Sequence, residues 1–108
     1  MVDKYKVVTL CGSTKFKEDF IKIQKELTLQ EIIVISVGLF GHADGEFDTI
    51  ITDEVKIMLD DIHKRKIDMA DEIFVINKNG YIGYSTRSEI EYAKEHGKKI
   101  VYLERNYE

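Results

Sequence analysis

Two short segments of the chain contain the residue types best suited to chemistry on a small molecule. Glu89 lies in residues 83–93, a segment that follows an apolar run and opens an amphipathic helix. Residues 10–15 follow the first apolar run, and Gly12 within them permits a tight turn. Loops at the carboxyl ends of strands form the ligand crevice of open parallel α/β sheets. Together the two segments predict a pocket for a nucleoside or nucleotide, with Glu89 as its nucleophilic acid.

Strand-like and helix-like segments alternate along the chain. Four apolar runs have the near-continuous hydrophobicity of strands buried on both faces, namely residues 5–10, 32–37, 72–77 and 99–103. Apolar residues recur at helical spacing between them, at Phe16, Phe20, Ile23 and Leu27 and again at Ile51, Val55, Met58 and Ile62. This alternation predicts right-handed βαβ crossovers. We therefore expect one domain over residues 1–108, a flavodoxin-like (Rossmann-like) three-layer α/β sandwich whose small parallel sheet has the core strand order 2-1-3-4.

The composition argues against several classes of protein. A formal net charge of −4 does not suit a nucleic-acid partner, because binding to the phosphate backbone needs a dense basic face. Cys11 is the only cysteine, which excludes an internal disulfide and a cysteine-based metal cluster and suits a reducing compartment. His42, His63 and His96 are scattered, so no metal site is expected. No apolar stretch approaches the roughly 20 residues that span a bilayer, and we expect a cytoplasmic protein with no membrane partner.

Residues 38–47 continue neither the strand period nor the helix period, and they contain three glycines and a histidine. The pattern predicts a loop over the carboxyl edge of the sheet. Such loops are often binding segments, although some are exposed connectors. His42 is the residue of this loop that we expect to contact the nucleobase. The alternative is that His42 lies on the surface of a lid and has no chemical role.

Both candidate segments also have a purely structural interpretation. Ser13 or Thr14 could cap the first helix, a role that is compatible with ligand contact. Thr86 and Glu89 have the spacing of a capping box, in which the glutamate bonds back to the cap amide and takes part in no chemistry. From spacing alone, the capping box is favoured over a catalytic acid. If Glu89 does lie in the first turn, the helix N-terminus stabilises its carboxylate and keeps it ionised at neutral pH.

The order of the motifs resembles the nucleoside 2-deoxyribosyltransferase superfamily, including its deoxynucleoside monophosphate N-glycosidase branch. The resemblance covers nearly the entire chain. Its most specific parts are the Thr86-x-x-Glu89-Ile-x-Tyr-Ala block and the Ala70-Asp71 pair that opens the third strand. It implies that Glu89 attacks the anomeric carbon of the sugar, and that Ser85 and Thr86 hold the sugar hydroxyl or the 5′-phosphate. The further substrate-binding residues that we assign to the pocket are Cys11, Gly12, Ser13, Thr14, Lys15, His42 and Gly83.

One position departs from the family pattern. Where the N-glycosidase branch has an aspartate, counting back from the third strand places His63, with Asp60 and Asp61 close by. An imidazole could protonate the departing base, because its pKa is near neutral pH. The other interpretation is that His63 belongs to an exposed, charged helix face.

The chemistry that the resemblance implies needs no cofactor, because an ester on Glu89 would carry the glycosyl group. A nucleoside or nucleotide is the expected small-molecule partner. The family completes its pocket with a neighbouring subunit, so a homodimer or larger homo-oligomer is expected, and residues 102–108 are the candidate for reaching across. The alternative function is a nucleotide-binding module without turnover, in which Glu89 only caps its helix.

Overall fold

A parallel sheet of four strands forms the centre of the protein. The computed structural model describes residues 1–45 and 51–105. The strands are β1 (Val7–Gly12), β2 (Ile33–Ile35), β3 (Glu72–Ile76) and β4 (Lys99–Tyr102), and they lie in the order β2-β1-β3-β4. The helices are α1 (Lys17–Leu29), α2 (Asp53–Asp68) and α3 (Tyr84–Glu95). This arrangement confirms the predicted flavodoxin-like three-layer α/β fold and the strand order 2-1-3-4.

Alternate residues of the central strands pack against helices on opposite faces of the sheet. Leu10 of β1 faces α1, where it joins a buried cluster with Phe20. Its neighbour Cys11 faces the other way and joins a cluster with Ile67 of α2 and Ile90 of α3. Because side chains alternate along a strand, one sheet can bury two apolar faces. The side of Cys11 is the side on which α2 and α3 approach the end of β1.

Strand β1 extends two residues further than the sequence predicted. It ends at Gly12, which pairs with Ile76 of β3, and not at Leu10. A Cβ atom at position 12 would lie 2.9 Å from the carbonyl oxygen of Ile76, and the φ angle of Gly12 is +152°. Glycine is therefore required both by the space and by the backbone conformation. The close approach brings the ends of β1 and β3 together at the carboxyl edge of the sheet.

The predicted apolar face of α2 is wrong in part. Met58 and Ile62 are 46% and 41% exposed, whereas His63 and Ile67 are the buried residues of the helix. Ile62 lines the cavity described below, where α2 faces open space. Of the predicted loop 38–47, residues 46 and 47 lie outside the described residues, as do residues 106–108 of the C-terminal segment.

The predicted capping box in α3 is also wrong. The helix begins at Tyr84 with Gly83 as its N-cap, and Thr86 lies inside the first turn. Glu89 consequently belongs to the second turn and cannot bond to the cap amide. At the other end, Gly97 follows the C-cap residue His96 and has a φ angle of +70°, a conformation that glycine adopts readily.

Within residues 1–45 and 51–105, no helix is long and apolar enough to cross a membrane.

Candidate functional site

A cavity of about 460 Å³ opens at the carboxyl ends of β1 and β3. Its walls are the loop after β1, the loop 37–42 after β2, the inner side of α2 and the start of α3. The volume falls within the roughly 300–1,000 Å³ of small-molecule sites. Open parallel α/β sheets bind their ligands at this position, at the carboxyl ends of the strands.

Most of the residues predicted to contact a ligand line this cavity. They are Gly12, Ser13, Thr14, His42, His63, Gly83, Ser85, Thr86 and Glu89. Two predicted residues do not line it. Cys11 is fully buried beside the cavity, and Lys15 points to the Tyr81 ring, with its Nζ atom 3.6 Å from the ring centroid.

The loop after β1 is held by side-chain hydrogen bonds. Ser13 Oγ accepts a bond from the amide of Lys15 at 3.3 Å, and so caps a short 3₁₀ turn (Thr14–Phe16) that precedes α1. Thr14 Oγ1 accepts a bond of 3.2 Å from the amide of His42. Thr14 thereby fixes the loop after β2 against the loop after β1, and both loops present backbone and hydroxyl groups to the cavity.

Glu89 and His63 meet in the cavity wall. His63 Nε2 lies 3.8 Å from Glu89 Oε1, and the two side chains are only 9% and 12% exposed. Cys11 lies directly behind them, with its Sγ atom 3.5 Å from His63 Nε2. One residue from a strand and one from each of two helices thus bring a thiol, an imidazole and a carboxyl group together.

Burial is the main influence on the charge of Glu89. It raises the pKa of the carboxyl group to about 8, and the nearby carboxylate of Asp60 acts in the same direction. A hydrogen bond from the Cys11 thiol and the charges of Lys64 and Lys56 oppose this rise. The expectation that the N-terminus of α3 keeps Glu89 ionised is wrong, because the residue lies in the second turn and is desolvated. At neutral pH the carboxyl group is mostly protonated.

His63 is shifted in the opposite direction. Burial lowers the pKa of the imidazole to about 4, and the charge of Lys66 lowers it further, against a hydrogen bond to the Leu10 backbone. The imidazole is therefore neutral at pH 7. Because Glu89 is mostly protonated there as well, the contact between them is one between neutral groups, and the pair shares a single titratable proton.

Burial likewise raises the pKa of the Cys11 thiol well above its ordinary value, and the neighbouring Glu89 adds to this effect. The thiol is protonated at neutral pH in this environment and is not a nucleophile.

Two lysines of the cavity were not predicted from the sequence. Lys56 Nζ donates a hydrogen bond of 3.1 Å to Ser85 Oγ, and Lys66 Nζ donates one of 2.8 Å to the carbonyl of Ser36. Lys56 and His63 are seven positions apart in α2, with Asp60 between them. Residues at that spacing lie on one side of a helix. The spacing of the lysines from His63 could therefore have indicated that they face the same cavity.

The thiol, imidazole and carboxyl groups of Cys11, His63 and Glu89 could also hold a metal ion. Their candidate ligand atoms all lie within 4.8 Å of one another. The three residues are far apart in sequence, so the spacing of histidines along the chain could not reveal this group.

Comparisons with models of protein families and with curated protein sequences give no match.

Proposed function

We propose that the protein cleaves or transfers the N-glycosidic bond of a nucleoside or a nucleoside 5′-monophosphate through a covalent glycosyl ester on Glu89. The observation that supports this most is the position of the Glu89 carboxyl group in the wall of the 460 Å³ cavity, clear of the N-terminal amides of its own helix. A glutamate that served only as a helix cap would not need to face a ligand cavity. The resemblance of the Thr86-to-Ala93 block to nucleoside 2-deoxyribosyltransferases points the same way.

The pair holds the one proton that the proposed reaction moves. In the resting state one proton lies on Glu89 and His63 is neutral. Transfer of that proton to His63 leaves a carboxylate that bonds to the anomeric carbon as the bond from carbon to the base nitrogen breaks. The electron pair of the broken bond stays on the base, which takes the proton from His63. The products are the ester, the protonated base and a neutral imidazole. Water or a second base then attacks the ester.

The start of α3 is the proposed binding site for the sugar hydroxyl or the 5′-phosphate. The first amides of a helix lack partners within the helix and favour an anion, and Gly83 supplies no capping side chain here. Ser85 and Thr86 line the cavity at this point, and the ammonium group of Lys56 lies 3.1 Å from Ser85 Oγ. A cation and two hydroxyls beside a helix N-terminus suit a phosphate group better than a neutral substituent.

A homo-oligomer is part of the proposal. Beside the cavity, α2 and the start of α3 expose large apolar side chains, of which Ile57 is 70% and Tyr84 is 90% exposed. Exposed apolar patches next to a ligand site commonly mark an interface between chains. A second copy on this side would complete the cavity wall.

The second candidate is a nucleotide-binding module without turnover. The observation that favours it is the protonated state of Glu89, since a protonated carboxyl group can donate a hydrogen bond to a ligand and is not itself nucleophilic. The same cavity would then hold a nucleotide and release it unchanged.

The test is base release from a panel of deoxynucleosides, ribonucleosides and their 5′-monophosphates, followed by chromatography. We expect release by the wild-type protein and its loss in Glu89→Gln. Glu91→Gln is the matched control, because Glu91 is an exposed residue of the same helix. Mass spectrometry after treatment with a 2-fluorinated nucleoside should show a sugar adduct on Glu89. Tight nucleotide binding without release, unchanged in Glu89→Gln, would establish the binding module instead.

A further inference from the structure

We infer that Cys11, His63 and Glu89 form an exchangeable Zn²⁺ site, and that metal occupation and glycosyl transfer exclude each other. The second half of this inference rests on the proposed function, because both processes use the carboxyl group of Glu89. The first half rests on the geometry of the three side chains alone.

The separations of the donor atoms fit a tetrahedral zinc ion. With Zn–S near 2.3 Å and Zn–N or Zn–O near 2.0–2.2 Å, donors at tetrahedral corners are about 3.3–3.7 Å apart. The observed separations are 3.5 Å between Cys11 Sγ and His63 Nε2, and 3.8 Å between His63 Nε2 and Glu89 Oε1. All of the candidate ligand atoms of the three residues lie within 4.8 Å of one another.

The chemical nature of the three groups also fits. A thiolate and an imidazole are the ligands that zinc prefers, and a carboxylate is a common third ligand. The His63 ring has an outer partner, since it bonds to the backbone of Leu10. A bond of this kind orients the ring and directs the other nitrogen toward a metal. On coordination, the thiol and the carboxyl group each release a proton to solvent, which leaves a thiolate and a carboxylate on the ion.

The cavity gives the site an entrance and a free coordination position. His63 and Glu89 line the cavity, while Cys11 lies behind them in the protein interior. An ion reaching the three donors from the cavity keeps its fourth position on the open side, as in zinc sites with three protein ligands. Zinc on Glu89 leaves no carboxylate to attack a sugar, so bound metal acts as an inhibitor that a chelator removes.

Cobalt is the probe for the site, because a cobalt–thiolate bond gives a charge-transfer absorption that reports on Cys11 directly. We expect chelator-treated protein to bind one Co²⁺ per chain with this absorption, and Zn²⁺ to displace it. Cys11→Ser should lose the thiolate absorption. Glu89→Gln and His63→Gln should weaken Co²⁺ binding by more than about 10-fold, since even substitutions of outer partners cost 10- to 100-fold in affinity.

His96→Gln is the matched control. His96 is an exposed histidine stacked on Tyr92, outside the three-residue group, and its substitution should leave the absorption unchanged. Wild-type protein without the thiolate absorption would overturn the metal site. Cobalt binding that is unaffected by both Glu89→Gln and His63→Gln would overturn it as well, even if Cys11→Ser failed to fold.

The inhibition is tested separately, by measuring base release with Zn²⁺ and after addition of a chelator. Loss of release with zinc and its recovery with chelator support mutual exclusion. Zinc that binds without slowing release overturns mutual exclusion and leaves the glycosyl-transfer proposal standing. If the protein shows the cobalt–thiolate absorption but releases no base from any substrate, the metal site is supported and the proposed function is contradicted.

Discussion

The Nε2 atom of His63 lies 3.8 Å from the Oε1 atom of Glu89 in the wall of the cavity. Between pH values of about 4 and about 8 this pair holds one proton, because burial lowers the pKa of the imidazole and raises that of the carboxyl group. A single proton is what the proposed reaction requires, since it moves from Glu89 through His63 to the departing base.

The pH dependence of base release follows from this pair. Below about pH 4 both groups are protonated and no carboxylate forms; above about pH 8 both are deprotonated and no acid remains. We expect chelator-treated protein to give a kcat/KM that is level between these limits and falls roughly tenfold per pH unit outside them. A rate that climbs tenfold per unit between pH 6 and pH 8 would show that Glu89 loses its proton to solvent and that His63 is not the acid.

Replacement of His63 should change the shape of the profile as well as the rate. His63→Gln removes the proton relay, so Glu89 must lose its proton to solvent before it can attack. We expect base release at pH 7 to fall by about 10²–10⁴, the usual contribution of a general acid, and the remaining rate to rise with pH up to about 8. The measurement is kcat/KM against pH for the two proteins. An unchanged profile would assign the imidazole a purely structural role.

Much of the fold could be predicted from the sequence, since apolar runs and helical spacing report directly on burial. The ends of the strands and the packing of the helices were harder to predict. The extension of β1 to Gly12 depends on pairing with Ile76, which is a tertiary contact. Met58 and Ile62 follow the helical period but are 46% and 41% exposed, and Ile62 lines the cavity. Periodicity shows which side of a helix is apolar and does not show what covers it.

Most of the polar residues of the candidate site could be predicted from the sequence, whereas Lys56, Lys66 and the charge of Glu89 could not. Glu89 and His63 were both identified from the sequence, and they meet in the cavity. The ionised state expected for Glu89 depended on Thr86 as the N-cap of the helix, whereas the N-cap is Gly83, three residues earlier. A shift of this size moves the carboxyl group away from the helix N-terminus and into a desolvated contact. The pKa is then set by tertiary neighbours.

Lys56 should determine the preference for phosphorylated substrates. Its ammonium group lies beside Ser85 and the N-terminus of α3, where a 5′-phosphate is proposed to bind. We expect Lys56→Met to reduce kcat/KM for 5′-monophosphates by about 10- to 100-fold, which corresponds to the loss of one charge-assisted hydrogen bond. Activity on the unphosphorylated nucleosides should change far less. Lys25→Met, on the exposed side of α1, is the control. Equal losses on both substrate classes would place the phosphate elsewhere.

A side chain at position 12, where β1 and β3 approach closely, should destabilise the domain. Gly12→Ala places a methyl group 2.9 Å from the Ile76 carbonyl oxygen at a φ angle that side chains rarely adopt. We expect the free energy of unfolding to fall by about 1–3 kcal/mol, the usual cost of a strained backbone position. Denaturant unfolding measures it. Gly38→Ala is the control, because a Cβ atom there meets nothing within 4 Å. Equal stability of the two variants would contradict the close approach of the strands.

The exposed apolar side chains of α2 should hold two copies of the chain together. Ile57 is 70% exposed and follows Lys56 of the cavity wall in sequence. In an interface at this position, a charged side chain would be buried at a large cost in free energy. We expect Ile57→Glu to convert the oligomer to a monomer in size-exclusion chromatography with light scattering, and to weaken nucleotide binding if the second copy completes the cavity. Ile21→Glu is the matched control, since Ile21 of α1 is 54% exposed on the opposite face of the sheet. A wild-type protein that stays monomeric at high concentration, or an Ile57→Glu variant that keeps the wild-type mass, would show that this surface does not join chains.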